Sequence, residues 1–318
     1  MKVTIRTDAT VETGTGHAMR CWALAEEFAA RGASVTWQSN INVPWLKMAV
    51  SQSGWQLCEP QGVEREQALA TEADLVVVDS YNLDHSYRYT LLERGIKVVA
   101  IVDDSTVSAG PATLWVNPGA PTALAVRRES SLLNGTPYVL IRNQVKALRA
   151  IRQQAELEGA EFLGITFLLG GTDFAGFSRV ISAMSQKHSF SDPIYAGPAP
   201  ESQGTSGVSW IPGGPDLLNR VARSKIVVSA SGVSSWELAH IGVPTALFQA
   251  VGNQAGNYDW MTRQGWAWPL GMADADVNAT NLADRLFAAL NAIEGGQLVG
   301  DVRIDGLGAK RVVDKCLS

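Results

Sequence analysis

Four short stretches of this 318-residue chain carry residue types that can do chemistry together. The first is Gly14-Thr15-Gly16-His17, with Arg20 three residues on and Arg6 and Asp8 just before. The glycines allow positive φ and close approach of a ligand. A histidine in the first turn of a helix faces a dipole that disfavours the imidazolium, so the ring is expected neutral near pH 7 and suited to general-base work. Arg20 falls on the same helix face and could hold an acid or fix the loop. The bland alternative is a capping His17, turn-forming glycines and a structural Arg6–Asp8 pair. The spacing is not GxGxxG, so a nicotinamide-dinucleotide fingerprint is absent.

The second stretch, Gly170-Gly171-Thr172-Asp173, follows an apolar run and offers backbone amides and a hydroxyl at a helix start, which is a phosphate cradle or merely a tight turn. The third, Ser229-Ala230-Ser231-Gly232, opens a helix that carries Glu237. Free amides there suit an anion, and the carboxylate can accept two hydrogen bonds from a ribose diol. An exposed helix glutamate is the ordinary alternative. The fourth, Gly252-Asn253-Gln254, suits sugar hydroxyls and amides, although such residues more often form turns. Asp79-Ser80-Tyr81 and Asp103-Asp104-Ser105 each end a strand. Adjacent carboxylates raise the possibility of a metal, but no third ligand is apparent, and Asp104 serves equally well as a cap.

Alternating β-branched runs and helical stretches position these loops, which reads as α/β with parallel sheets. Strands are expected at 3–7, 34–38, 74–79 and 97–102, then at 161–169, 193–196, 225–229 and 245–248. Helices are expected at 17–30, 43–53, 83–94, 142–158, 174–187, 215–222, 232–241, 254–264, 279–293 and 307–317. Near-continuous apolar strands indicate sheets covered on both faces. In such sheets ligands lie beyond the carboxyl ends of the strands, where the four stretches fall. Two Rossmann-like domains facing a cleft are expected, 1–147 and 148–318, with the terminal helix free to pack on either.

Composition narrows the class. Hydrophobic residues at 46% and charged residues at 18% exclude a disordered chain. A net charge of −5 argues against nucleic acid or an anionic membrane as the main partner. Three scattered cysteines and four histidines without metal spacing exclude a disulfide scaffold and a zinc motif. No run of about 18 apolar residues offers a membrane span. MKVTIRTD leads directly into a strand pattern, so no signal peptide is expected, and the protein is expected to be cytoplasmic. Trp260, Trp266 and Trp268 could stack on a base or sugar, though core packing accounts for most tryptophans.

Together these residues resemble a known family. Gly14-Thr15-Gly16-His17-Ala18-Met19-Arg20-Cys21 is similar to the GxGHxxRC opening of the UDP-2,4-diacetamido-2,4,6-trideoxy-β-L-altropyranose hydrolases of pseudaminic acid biosynthesis (PseG-like). Their fold is the GT-B type of the MurG-like glycosyltransferases. Asp79-Ser80-Tyr81, Val102-Asp103-Asp104, the stretch Pro137 to Arg142, Gly170 to Asp173, Ser229 to Glu237 and Asn253-Gln254 follow in family order. The resemblance implies removal of UDP from a nucleotide-activated diacetamido-trideoxy sugar, with inversion and without metal or cofactor. It implies catalytic His17 and Tyr81. It places substrate contacts at Asp8, Gly14, Gly16, Arg20, Gly171, Thr172, Ser231, Gly232, Glu237, Asn253 and Gln254. It implies a UDP-sugar as the partner, with a monomer or weak dimer expected. Ile141-Arg142-Asn143-Gln144 lacks the Pro-Glu common in relatives, Ser80 replaces a histidine of some relatives, and 41–54 matches no motif; these departures bear on the sugar's identity. The alternatives are a GT-B glycosyltransferase passing a UDP-sugar to an unidentified acceptor, and a non-catalytic nucleotide-sugar binder.

Overall fold

The computed structural model describes residues 1–10, 13–60, 72–103, 110–124, 126, 130–168, 194–196, 209–211, 215–272, 279–294 and 304–318. The expected helix at 174–187, the Gly170 to Asp173 stretch and Asp104 lie outside these residues. The chain divides into two compact units, Met1–Asn143 with Asp305–Ser318, and Gln144–Ile304. The terminal segment therefore belongs with the first unit rather than with the 148–318 domain expected from the sequence.

The first unit holds a seven-stranded, all-parallel sheet: β1 (Lys2–Thr7), β2 (Ser34–Gln38), β3 (Gln56–Cys58), β4 (Leu75–Asp79), β5 (Lys97–Ile101), β6 (Leu114–Asn117) and β7 (Ser131–Asn134), ordered β3-β2-β1-β4-β5-β6-β7. Its helices include α1 (Gly16–Ala30), α2 (Pro44–Gln52) and α3 (His85–Glu93). Both sheet faces are buried, which explains the unbroken apolar strands. In β4, Leu75 and Val77 join one core with Ile5, Leu24, Phe28 and Trp37, while Val76 and Val78 join the opposite core with Tyr87, Leu91 and Trp115. Helix α3 starts where the Asp84 carboxylate accepts from the Ser86 and Tyr87 amides.

Helix α4 (Asn143–Leu157), expected from the sequence over 142–158, runs from the boundary into the second unit. Its sheet is parallel and six-stranded among the described residues: β8 (Leu163–Leu168), β9 (Ile194–Ala196), β10 (Ser209–Ile211), β11 (Ser224–Ala230), β12 (Thr245–Gln249) and β13 (Trp268–Met272), ordered β10-β9-β8-β11-β12-β13. Helices α5 (Pro215–Ala222), α6 (Val233–Ile241), α7 (Ala255–Arg263) and α8 (Ala279–Glu294) accompany it.

The chain ends in α9 (Gly308–Leu317), which packs on α1 and buries Ala309, Val312, Val313 and Cys316 in the first unit's core. Arg31 of α1's C-terminal end bonds Asp314 at 2.7 Å, and Lys97 donates to the Cys316 carbonyl at 3.1 Å.

Each sheet reverses its strand order once, between β1 and β4 and between β8 and β11. Crevices for ligands form beyond the strand ends at such points. The histidine loop follows β1, Asp79 ends β4, and Ser231 follows β11.

Candidate active site

The first unit gathers His17, Arg20, Cys21, Asp79, Tyr81 and Asp103 at its strand-order reversal. Gly14 makes the approach turn at φ 72°, with its amide on the Thr10 carbonyl at 2.8 Å. Helix α1 then starts at Gly16. His17, Arg20 and Cys21 are three and four residues apart, so one helix face carries all of them. That face meets the carboxyl end of β4.

Asp79 lies at the centre with 1% of its side chain exposed. Arg20 grips it bidentately, Nε to Oδ2 at 2.6 Å and Nη2 to Oδ1 at 2.6 Å. His17 Nδ1 sits 2.7 Å from Oδ1, and Cys21 Sγ donates to Oδ2 at 3.6 Å. Arg20 Nη1 reaches a second carboxylate, Asp103 Oδ2, at 2.9 Å. The other oxygen of Asp103 accepts the Tyr81 hydroxyl at 2.5 Å. The Tyr81 and His17 rings meet edge to face, centroids 4.7 Å apart. Exposure rises outward, from 1% at the Asp79 side chain through 13% at that of His17 to 52% at Tyr81.

The charges follow from this geometry. Burial alone raises the Asp79 pKa, but the charge of Arg20 and the hydrogen bonds from Arg20 and His17 outweigh it and hold the carboxyl well below the usual range. Asp103 is likewise lowered: burial opposes, and Arg20 and the Tyr81 hydroxyl prevail. Burial and the neighbouring Asp79 push the Cys21 thiol well up, so it stays protonated and is no nucleophile. An ionised carboxylate only accepts hydrogen bonds, so His17 carries a proton on Nδ1, and in the neutral ring the lone pair is on Nε2. The 3.1 Å approach of Arg20 Nη2 to Nδ1 is then two donors converging on one oxygen. Two carboxylates against one guanidinium leave one negative charge in excess, which stabilises positive charge arriving on the ring. The same division of roles between carboxylate and imidazole operates in serine hydrolases.

Two residues expected to touch substrate are engaged inside the protein. Arg20, 5% exposed, is clamped between Asp79 and Asp103. Asp8 accepts from Arg6 Nη1 at 2.7 Å and the Asn40 amide at 3.1 Å, while its second oxygen lies 3.4 Å from Ser80 Oγ. Both brace the loops that present His17 and Tyr81. Asp79 and Asp103, noted in the sequence as strand ends, and Asp103 also as one of an adjacent carboxylate pair lacking a third metal ligand, are partners of Arg20. Their signal was their place at the ends of β4 and β5, but their sequence distance from His17 hid the contacts.

In the second unit, the loop after β11 touches the loop after β12. Ser231 is fully buried, its amide on the Phe248 carbonyl at 3.0 Å and its hydroxyl 3.3 Å from the Gln254 carbonyl. Gly232 leads into α6 with no side chain capping that end. A Cβ at Gly232 would lie 3.5 Å from Gln254 Nε2, and Gln254 Oε1 accepts the Ala250 amide at 2.9 Å. Gln254 therefore braces the loop, while Asn253 beside it is exposed. Glu237 is 7% exposed, unlike an ordinary surface glutamate. Gly171 and Thr172 lie outside the described residues. Trp260 and Trp266 pack edge to face at 4.7 Å and both abut buried Trp236, forming a packing cluster that excludes Trp268 from the expected trio.

No protein-family model and no curated protein matches the sequence. Solved structures do match. UDP-GlcNAc 2-epimerase from Neisseria meningitidis, bound to UDP-GlcNAc, superposes with a TM-score of 0.64 at 12% identity over 100% of both chains. MurG of Acinetobacter baumannii gives 0.63 at 14% identity over 99% of this chain and 98% of that one. The spinosyn rhamnosyltransferase SpnG, complexed with thymidine diphosphate, gives 0.65 at 13% identity over 100% of both. At such identities the likeness carries the fold alone: the chain has the two-domain, Rossmann-like GT-B fold of these proteins.

Proposed function

We propose that the protein is a UDP-sugar hydrolase that releases UDP, with inversion, from a 2,4-diacetamido-2,4,6-trideoxy sugar of the pseudaminic type. The carrying observation is the imidazole of His17, held by an ionised Asp79 that is itself fixed by buried Arg20. The neighbours solved with UDP-GlcNAc and thymidine diphosphate support a nucleotide-sugar as the ligand class. The GxGHxxRC resemblance supports hydrolysis and the choice of sugar.

In this reading water attacks the anomeric carbon from the face opposite UDP. The new C–O bond takes its electron pair from the water oxygen, and His17 Nε2 accepts the proton. The bond between the anomeric carbon and phosphate oxygen breaks, and its pair leaves with UDP. Charge developing on the diphosphate is met by amides at the start of α6, with Gly171 and Thr172 as the further contacts that the resemblance implies. UDP is a good leaving group, so no general acid is required. Glu237 binds the ribose diol, and Asn253 and Gln254 lie near the sugar.

The test is UDP release from such a UDP-sugar without any acceptor, with the sugar followed by NMR. Release of UDP with a free, inverted sugar supports the hydrolase. Binding without release would overturn it and shift weight to a transferase of the MurG kind lacking its acceptor.

A further inference from the structure

We propose that Asp103 is a positioning residue that turns the Tyr81 hydroxyl into a hydrogen-bond acceptor, so that Tyr81 and His17 together hold the two protons of the attacking water. This rests on the hydrolase reading.

A phenol has one proton and two lone pairs. Tyr81 donates that proton to Asp103 Oδ1 at 2.5 Å. Asp103 cannot return it, because its other oxygen is engaged by Arg20 at 2.9 Å and the group is ionised. Toward a ligand the Tyr81 oxygen is therefore an acceptor. In the neutral ring that a general base requires, His17 Nε2 is likewise an acceptor, because Asp79 holds the proton on Nδ1. Arg20 ties both carboxylates, so one guanidinium sets the polarity of two adjacent rings whose centroids are 4.7 Å apart.

Acceptor atoms on two rings that meet edge to face do not suit a diphosphate oxygen, which itself only accepts. They suit a species with two O–H donors on one atom, which water is and an alcohol is not. Water gives one proton to His17 in the reaction and keeps the other, hydrogen-bonded to Tyr81, in the new hydroxyl of the product. An alcohol nucleophile satisfies His17 and leaves Tyr81 unmatched, so the pair selects hydrolysis over transfer.

The experiment measures nucleophile partitioning in buffer containing methanol. Methanol attack gives the methyl glycoside plus UDP, and water attack gives the free sugar plus UDP. Asp103→Asn and Tyr81→Phe should each lower kcat with water about tenfold, the loss of one hydrogen bond, with KM little changed. Both should raise the ratio of methyl glycoside to free sugar several-fold. Asp103→Glu, which keeps the charge, should restore the ratio toward wild type. A raised KM at constant kcat would place a substrate donor, not water, on Tyr81 and overturn the proposal. So would an unchanged ratio in both variants. In protein labelled at the tyrosine Cζ carbon and without substrate, Asp103→Asn should move the Tyr81 resonance; an unmoved signal overturns the Asp103 role even if hydrolysis stands. Wild-type protein that releases no UDP overturns the hydrolase reading itself, while the substrate-free spectrum still reports on the Asp103–Tyr81 bond. Tyr81 is half exposed, so Tyr81→Phe keeps the test open if Asp103→Asn misfolds.

Discussion

At the residue scale, the chemistry turns on which atoms hold protons. His17 was legible from its place after two glycines at the head of a helix. Its partner was not: Asp79 lies 62 residues away, and only the adjacency of β1 and β4 brings the two together. The helix-dipole argument for His17 was therefore incomplete, since a carboxylate rather than the dipole alone fixes the ring. His17→Ala should lower kcat by about 10²- to 10⁴-fold, the usual worth of a general base, with UDP affinity within about twofold of wild type. Steady-state kinetics and calorimetry with UDP separate the two effects. A kcat within a few-fold of wild type would remove His17 as the base.

Asp79→Asn should cost more than activity. It takes one of two counter-charges from buried Arg20, and breaking a buried pair typically destabilises by about 3–5 kcal/mol. The pH sign follows from the lowered folded-state values of Asp79 and Asp103. Each contributes stability that is present above the unfolded carboxylate value of about 3.9 and is lost as pH falls below it toward the folded values. Wild-type stability measured by denaturant should decline below about pH 4 more steeply than that of Asp79→Asn. Equal slopes would show that Asp79 is not held ionised by its partners.

At the element scale, long buried strands and helices were readable because their patterns are strong. Strand 34–38 and helix 215–222 match the structure at both ends, and most others differ by one or two residues. Five strands were missed. Gln56–Cys58 and Ser209–Ile211 have three residues each, too short for periodicity to register. Leu114–Asn117 and Ser131–Asn134 have four, and Trp268–Met272 carries a proline and a glycine. These sit toward the sheet edges, where tertiary pairing makes the strand. The site survived the omissions because its residues follow the central strands.

Helix α9 shows a placement that local sequence does not determine. Its amphipathic pattern fits either unit, and the choice rests on close fit at its start. A Cβ on Gly308 would lie 2.1 Å from the Val139 carbonyl oxygen and 2.6 Å from the Tyr138 carbonyl carbon, both backbone atoms that cannot swing aside. Gly308→Ala should destabilise by about 1–3 kcal/mol or more, as overpacking does. Chemical denaturation reads the loss, and faster hydrogen exchange in α9 than elsewhere in the variant would locate it. An unchanged midpoint would mean that α9 does not dock this closely. Gly14→Ala is the contrasting case: nothing lies within 4 Å of its Cβ, so only φ 72° opposes it, at a cost of about 1–2 kcal/mol.

At the scale of the whole molecule, the two units present different chemistry at equivalent places. The first sets carboxylates, a guanidinium and an imidazole around its strand-order reversal. The second sets an uncapped helix start, a buried serine and a buried glutamate around its own. In the proposed reading one arrangement handles protons and the other binds an anion with a diol. The sequence showed this division because each loop keeps its residue types together. It did not show that Arg20 acts inside the protein, since its partners Asp79 and Asp103 come from other loops, whereas the Arg6–Asp8 pair was legible from its spacing. The proposed division makes a reciprocal prediction. Glu237→Gln keeps the size of a 7%-exposed side chain but removes the charge that would accept two ribose hydroxyls. It should weaken UDP binding by roughly tenfold, the worth of hydrogen bonds to a charged acceptor, while kcat at saturating UDP-sugar stays within about threefold. His17→Ala should do the reverse. Calorimetric titration of UDP into both variants, beside their kcat values, decides the matter. If Glu237→Gln left UDP affinity intact, the nucleotide would not lie against α6, and the second unit's part in the reaction would have to be carried by other residues.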